Sequence, residues 1–124
     1  MAQNETKKPA AISLEENLKK ALTEFLVLYL LSQREYYVGE LTATLHEKSG
    51  GVLTIVFPYS AVYRLQESGY IYESEKRNAP DGRRRQYFCI TEAGSSYLKQ
   101  LLEVYTTFTN GITAILSKGD KEDA

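Results

Sequence analysis

The sequence predicts a mainly α-helical fold with a small β-wing, an α+β arrangement in which short helices and a charged hairpin precede one long helix. Three observations predict it. Ala61, Val62 and Leu65, with Phe57 one turn back, recur at helical spacing and are followed by Gly69, which takes the left-handed conformation of a helix end at no steric cost. Two runs of strand character, Ile71 to Glu75 and Arg85 to Ile90, flank a Pro80-Asp81-Gly82 turn. From Leu98 to Ile115 apolar residues alternate three and four apart, the pattern of a coiled-coil seam.

The first helix is expected from about Leu14 to Ser32. Residues 1 to 12 are polar and aperiodic and read as a flexible tail, and Ser13-Leu-Glu-Glu16 matches a capping box in which each side chain satisfies a backbone N–H. Leu14, Leu18, Ala21, Leu22 and Phe25 share one face, but from Phe25 to Leu31 the helix is apolar all round. A helix of that kind needs cover on both sides, and one small domain offers one, so the other side implies a partner. Gln33-Arg34-Glu35 links to a second helix, about Val38 to Lys48, with Leu41 and Leu45 turned inward and Gly50-Gly51 ending it. Val52 to Phe57 is apolar and β-branched and reads as a short connecting strand or a turn.

The third helix then leaves Tyr59, Ser60, Arg64 and Glu67 on its outside and leads through Gly69 into the hairpin. Five of the fifteen basic residues lie in the ten positions from Lys76 to Arg85. Helix, helix, two-stranded ribbon is the order of a winged helix-turn-helix domain, here residues 13–90. The last helix, residues 91–117, spans some 26 residues, about 39 Å at the usual rise, longer than the domain before it can cover. Gly111 within it marks either close approach to a partner or a weak point. Residues 118–124 are polar and read as a second tail.

At 124 residues with 43% apolar content the chain is one domain with enough apolar material for a core. A formal charge of −1 and a pI near 5.9 exclude a protein that coats nucleic acid by bulk charge, so any contact with DNA is local. The single Cys89 cannot form an internal disulfide and fits a reducing cytoplasm; the N-terminus has no signal-peptide core, and no apolar run approaches the roughly 20 residues of a membrane span. No catalytic or metal-binding constellation is visible and no cofactor is implied. His46 beside Glu47 reads as a surface residue, Cys89 as a small buried hydrophobe, and Glu15-Glu16 is accounted for by the capping box.

These features assign double-stranded DNA as the partner of Tyr59, Ser60, Tyr63 and Arg64 through the major groove, with Lys76, Arg77, Arg83 and Arg84 on phosphates or the minor groove. A basic hairpin is also how a sheet edge discourages unwanted pairing, and Tyr63 and Tyr87 fit packing roles as well as reading roles. Phe25, Tyr29, Leu98, Leu101, Tyr105, Phe108, Ile112 and Ile115 form the candidate homodimer interface, which brings two recognition helices one duplex turn apart and asks for a palindromic operator. Where Phe25, Tyr29, Tyr105 and Phe108 meet imperfectly, they would accept a small aromatic ligand; a closely packed interface without a cavity is the other outcome. A winged-helix module that binds protein, with an incidental basic wing, is the alternative function.

The chain resembles the PadR-type transcriptional regulators. The residues that carry the likeness are the apolar first helix, Tyr37-x-x-Glu40-Leu41, Val62-Tyr63-Arg64-Leu65, Glu67-Ser-Gly-Tyr-Ile71, and above all Arg83-Arg-Arg-x-Tyr87 followed by Ile90-Thr91-x-x-Gly94. It departs from the family pattern where Val38-Gly39 replaces the usual Gly-Tyr pair and Tyr59-Ser60-Ala61 replaces Pro-Gly-Thr. A single C-terminal helix resembles the shorter branch of the family, which implies a cytoplasmic homodimer, commonly a repressor released by a phenolic or hydrophobic effector. The chain has no tryptophan, so the aromatic stacking pair of some drug-binding relatives is absent.

Overall fold

A computed structural model describes residues 10–55 and 57–123, and the side chains of 11–55 and 57–117. The elements are α1 (Ala10–Gln33), β1 (Tyr36–Tyr37), α2 (Val38–Lys48), α3 (Pro58–Glu67), β2 (Ile71–Asn78), β3 (Arg84–Ile90) and α4 (Glu92–Asp123). This is a winged-helix α+β arrangement carrying a long C-terminal helix. The three strands form one antiparallel sheet in the order β1-β3-β2.

Helix α1 is the spine of the core. Val27, Leu28, Leu30 and Leu31 are buried, packed with Leu41 and Leu45 of α2, Val62 and Leu65 of α3, Ile71, Phe88 and Leu98. The chain therefore covers more of α1 than the all-apolar pattern suggested: between Phe25 and Leu31 only Tyr29 is exposed. The reason is that α2, α3, β3 and α4 all pack on this one helix, so its cover comes from several directions rather than from one layer. The helix is already formed at Ala10, which places Ser13 inside it and overturns the capping box. Residues 1–9 of the expected tail lie outside the described residues.

Strand β1 is absent from the sequence-based expectation, which ran the Gln33–Glu35 link straight into α2. Tyr36 stands opposite Phe88 and Tyr37 opposite Tyr87, and Tyr36, Phe88 and Tyr87 are all buried. Two aromatic cross-strand pairs suffice to extend the ribbon by one short edge strand. Gly50 and Gly51, both at positive φ, end the turn after α2 as expected. Among the described residues of 52–57 there is no strand. Phe57 is 72% exposed rather than core, because α3 begins at Pro58 and Phe57, just before it with a non-helical backbone, does not share the helical face of Ala61, Val62 and Leu65.

The wing is longer than expected at its tip, β2 continuing to Asn78 and β3 starting at Arg84. The turn between them is closed by Gly82 N–H to Ala79 O and Ala79 N–H to Arg83 O, both 2.8 Å, with Gly82 at φ +85°. Between Glu73 and Lys76 strand β2 carries one residue more than the facing stretch of β3, a β-bulge.

Helix α4 is fastened at its start by Thr91. The Thr91 N–H donates to Tyr70 O (2.9 Å), its hydroxyl donates to Gly69 O (2.7 Å), and the same hydroxyl accepts the Gly94 N–H (3.0 Å). Tyr70 and Tyr97 stack at 4.3 Å beside this joint. The helix then continues to Asp123, past the expected end at 117, so residues 118–123 extend it rather than leave it; Ala124 lies outside the described residues. Among the described residues no helix is long and apolar enough to cross a membrane.

Candidate nucleic-acid interface

Helix α3 is cut from the sequence by Pro58, whose fixed φ and missing N–H suit a first helical position, and by Gly69 at φ +80°. Burying Ala61, Val62 and Leu65 turns the opposite face outward. Tyr59 is 71% exposed, Tyr63 is 61% exposed, and Ser60 is exposed beside them. The packing alternative for Tyr63 therefore does not hold, whereas Tyr87 is buried at the wing base.

Tyr59, Tyr63 and Gln66, four and three residues apart, line one wall of a groove of about 520 Å³; Glu73, Arg84, Arg85 and Gln86 of the wing line the other. Alternate side chains of a strand take opposite faces, so Phe88 enters the core while Gln86 and Arg84 carry the same face outward toward α3. Recognition helix and wing thus present one continuous surface with a cleft between them.

The basic residues divide into two groups. Arg64, expected on DNA, is ion-paired with Glu24 of α1. Arg77 donates from Nη1 to Glu35 Oε1 (2.7 Å) and Glu75 Oε1 (2.9 Å), and its guanidinium lies 3.7 Å above the Tyr87 ring. Arg85 binds Asp81 Oδ2 at 2.8 Å and lies 5.0 Å from the Tyr37 ring, which meets Tyr87 edge-on at 5.5 Å. Among the described residues Lys76, Arg83 and Arg84 have no side-chain ion pair and are exposed. Their charge is available to a phosphate.

The carboxylates respond as their partners require. The Arg77 hydrogen bond, then the Cys89 thiol, hold Glu35 below its ordinary carboxylate range, and Arg85 does the same for Asp81. Burial, then the neighbouring Glu35, pushes the Cys89 thiol up, so it is neutral at pH 7. Among the described residues no group of three or more His, Cys, Asp or Glu is placed to hold a metal ion, and His46 Nδ1 lies 3.3 Å from Thr54 Oγ1.

The proposed dimer residues fall in different places. Leu98 is 7% exposed inside the chain's own core and has no surface left for a partner; Leu101 is half-buried against that core. Phe25 is half-buried with its ring 5.5 Å from that of Tyr105. Tyr29, Tyr105, Phe108, Ile112 and Ile115 are exposed. Gln66 and Gln86 were missed by the sequence reading. Gln66 could have been found seven positions after Tyr59, on the same helical flank.

The family model described as the transcriptional regulator PadR-like family matches residues 27–100. Solved structures with the same fold include a transcriptional regulator from Clostridium thermocellum (26% identity over 78% of this chain and 92% of that one, TM-score 0.66). A PadR-like regulator from Bacillus cereus shares 23% identity over 81% and 96% of the two chains, with a TM-score of 0.70. A PadR family regulator from Eggerthella lenta shares 21% over 86% and 91%, with a TM-score of 0.71. A comparison with curated protein sequences finds no match.

Proposed function

The chain belongs to the PadR-like family of transcriptional regulators, non-enzymatic DNA-binding proteins, and on that premise we propose that it is a cytoplasmic homodimeric repressor of a palindromic operator, released by a small aromatic effector. The observation that carries the DNA-binding part is an exposed face of α3, Tyr59, Ser60 and Tyr63, beside a wing that places Arg84 across the groove from Tyr59 and Tyr63 and carries Lys76 and Arg83 exposed on the same hairpin, all three cations without a side-chain ion pair among the described residues. Tyrosine rings offer apolar contact to thymine methyl groups and hydroxyls to base edges; Gln66 can pair with adenine through its N6 and N7. The wing cations hold phosphates, which set register without reading sequence.

The homodimer is supported by the exposed apolar stripe of α4 at Phe108, Ile112 and Ile115. The effector reading is supported by the tilted Phe25–Tyr105 contact with exposed Tyr29 and Phe108 on the same two helices, a lining suited to flat apolar rings bearing a hydroxyl. Selection from a random duplex pool tests the function. A palindromic consensus, bound with a clear preference over a scrambled duplex at a stated salt concentration, is expected, and no enrichment overturns the reading. A thermal-shift screen of planar aromatics with operator competition tests the effector, since an inducer must favour the DNA-incompetent arrangement.

A further inference from the structure

Helix α1 ends where the wing begins to be held. Two acidic residues associated with it each grip one DNA-facing element through an arginine that charge counting alone assigns to DNA. Glu24, in the middle of α1, takes Arg64 of the recognition helix; Glu35, two residues past its end, takes Arg77 of the wing. The two acids are 11 positions apart in the chain, Glu24 within the helix and Glu35 beyond its end.

The wing end of this arrangement is built by the bulge in β2. Ser74 and Arg77 are three positions apart and would face opposite sides of a regular strand. The extra residue between Glu73 and Lys76 brings both to one side, and both donate to the same atom, Glu35 Oε1, at 3.2 and 2.7 Å. Arg34, the neighbouring residue, is turned the other way and holds Glu40 of α2 with two hydrogen bonds of 3.3 and 3.2 Å. The junction after α1 is thus tied to both sides of the domain. At the other pin, Phe25, next to Glu24, meets Tyr105 of α4.

We propose that Glu24 and Glu35 are positioning residues that fix the recognition helix and the wing relative to α1, and that Arg64 and Arg77 serve this purpose rather than contacting DNA. This rests on the DNA-binding reading above. In that reading the distance between the two elements decides whether base and phosphate contacts can form at once, so loosening either pin blurs operator preference before it weakens charge attraction.

The test uses the full chain, its selected operator and a scrambled duplex of equal length, over a range of NaCl concentrations. Glu24→Gln, Arg64→Gln, Glu35→Gln and Arg77→Gln are each expected to lower the operator-to-scrambled affinity ratio by about threefold, the scale of a well-formed exposed ion pair, with the salt slope unchanged. Each double Gln variant is expected to be no worse than its weaker single, because both changes break the same tie. If Arg64→Gln or Arg77→Gln instead flattens the salt slope by about one charge, or if the Glu→Gln variants leave the ratio unchanged or raise it, the arginines are DNA contacts and the proposal falls. Amide hydrogen exchange without DNA supplies a separate readout. Glu24→Gln is expected to speed exchange in α3 and Glu35→Gln in β2, and unchanged exchange overturns the pins. A wild-type chain that binds no duplex would remove the functional reading and leave this second measurement to decide.

Discussion

A Cβ on Gly94 would stand 2.1 Å from the carbonyl oxygen of Tyr70 and 2.8 Å from Cγ1 of Ile90. The first of these is backbone, and it already accepts the Thr91 N–H, so it cannot withdraw without opening the joint between wing base and α4. The Thr91-x-x-Gly94 run is therefore a fastening that works only without a side chain at its fourth position. Gly94→Ala is expected to lower stability by about 2–3 kcal/mol, as overpacking at a rigid site does. Urea unfolding checks it; a midpoint equal to that of the unaltered chain would show that the joint yields.

The unpaired wing cations give a prediction about charge. Arg83→Ala with Arg84→Ala is expected to weaken binding to operator and scrambled duplex alike and to flatten the salt dependence by about two charges. Fluorescence anisotropy at several NaCl concentrations reads both effects. An unchanged slope would mean that the wing does not touch phosphates.

The exposed tyrosines give a prediction about sequence. Tyr59→Ala or Tyr63→Ala is expected to change which bases are selected, at about 1–3 kcal/mol for each lost base contact, with the salt slope intact. Repeating the duplex selection with each variant checks this. An identical consensus would remove the tyrosines from the reading face.

Glu35 gives a prediction about pH. Its folded carboxyl is held below the ordinary value of 4.5, so the tie to Arg77 adds stability that is fully present above about pH 4.5 and is lost as pH falls through the lowered value. Asp81 behaves alike below its ordinary 3.8 through Arg85. Urea midpoints of the unaltered chain and of Glu35→Gln are expected to differ at pH 7 and to converge toward pH 3. A difference that grows as the pH drops would reverse the sign and refute the pairing.

How much of this was legible beforehand follows from the range of each interaction. The spacing of Ala61, Val62 and Leu65 and the punctuation by Pro58, Gly69 and the Pro-Asp-Gly turn are local, and they placed recognition helix and wing within a few residues. The short strand Tyr36–Tyr37 was invisible because two residues have no periodicity; only Phe88 and Tyr87, some fifty positions on, make them a strand. The ties of Arg64 to Glu24 and of Arg77 to Glu35 could not be read ahead because those acids lie 40 and 42 positions away. Leu98 continued the apolar seam of α4 in sequence, yet it sits where that helix first crosses the core, and a heptad pattern does not distinguish core from partner.

That crossing decides the last prediction. The early part of α4 is used within the chain, Leu98 being buried, while Phe108 at 69% and Ile115 at 71% exposure continue the same stripe without cover from the described residues. Leu14 and Leu18 of α1 are exposed as well. Monomers seldom leave so long an apolar row in water. Light scattering is expected to report twice the 14.0 kDa chain mass at micromolar concentration. Phe108→Asp with Ile112→Asp is expected to halve that mass or unfold the protein, depending on whether the chain is stable alone. Leu98→Ala separates the two roles: it should cost about 2–5 kcal/mol of stability as a core truncation while the remaining folded protein keeps the dimer mass. A single-chain mass for the unaltered protein would remove the second copy, and a Leu98→Ala protein that is stable but monomeric would move Leu98 from the core to the interface.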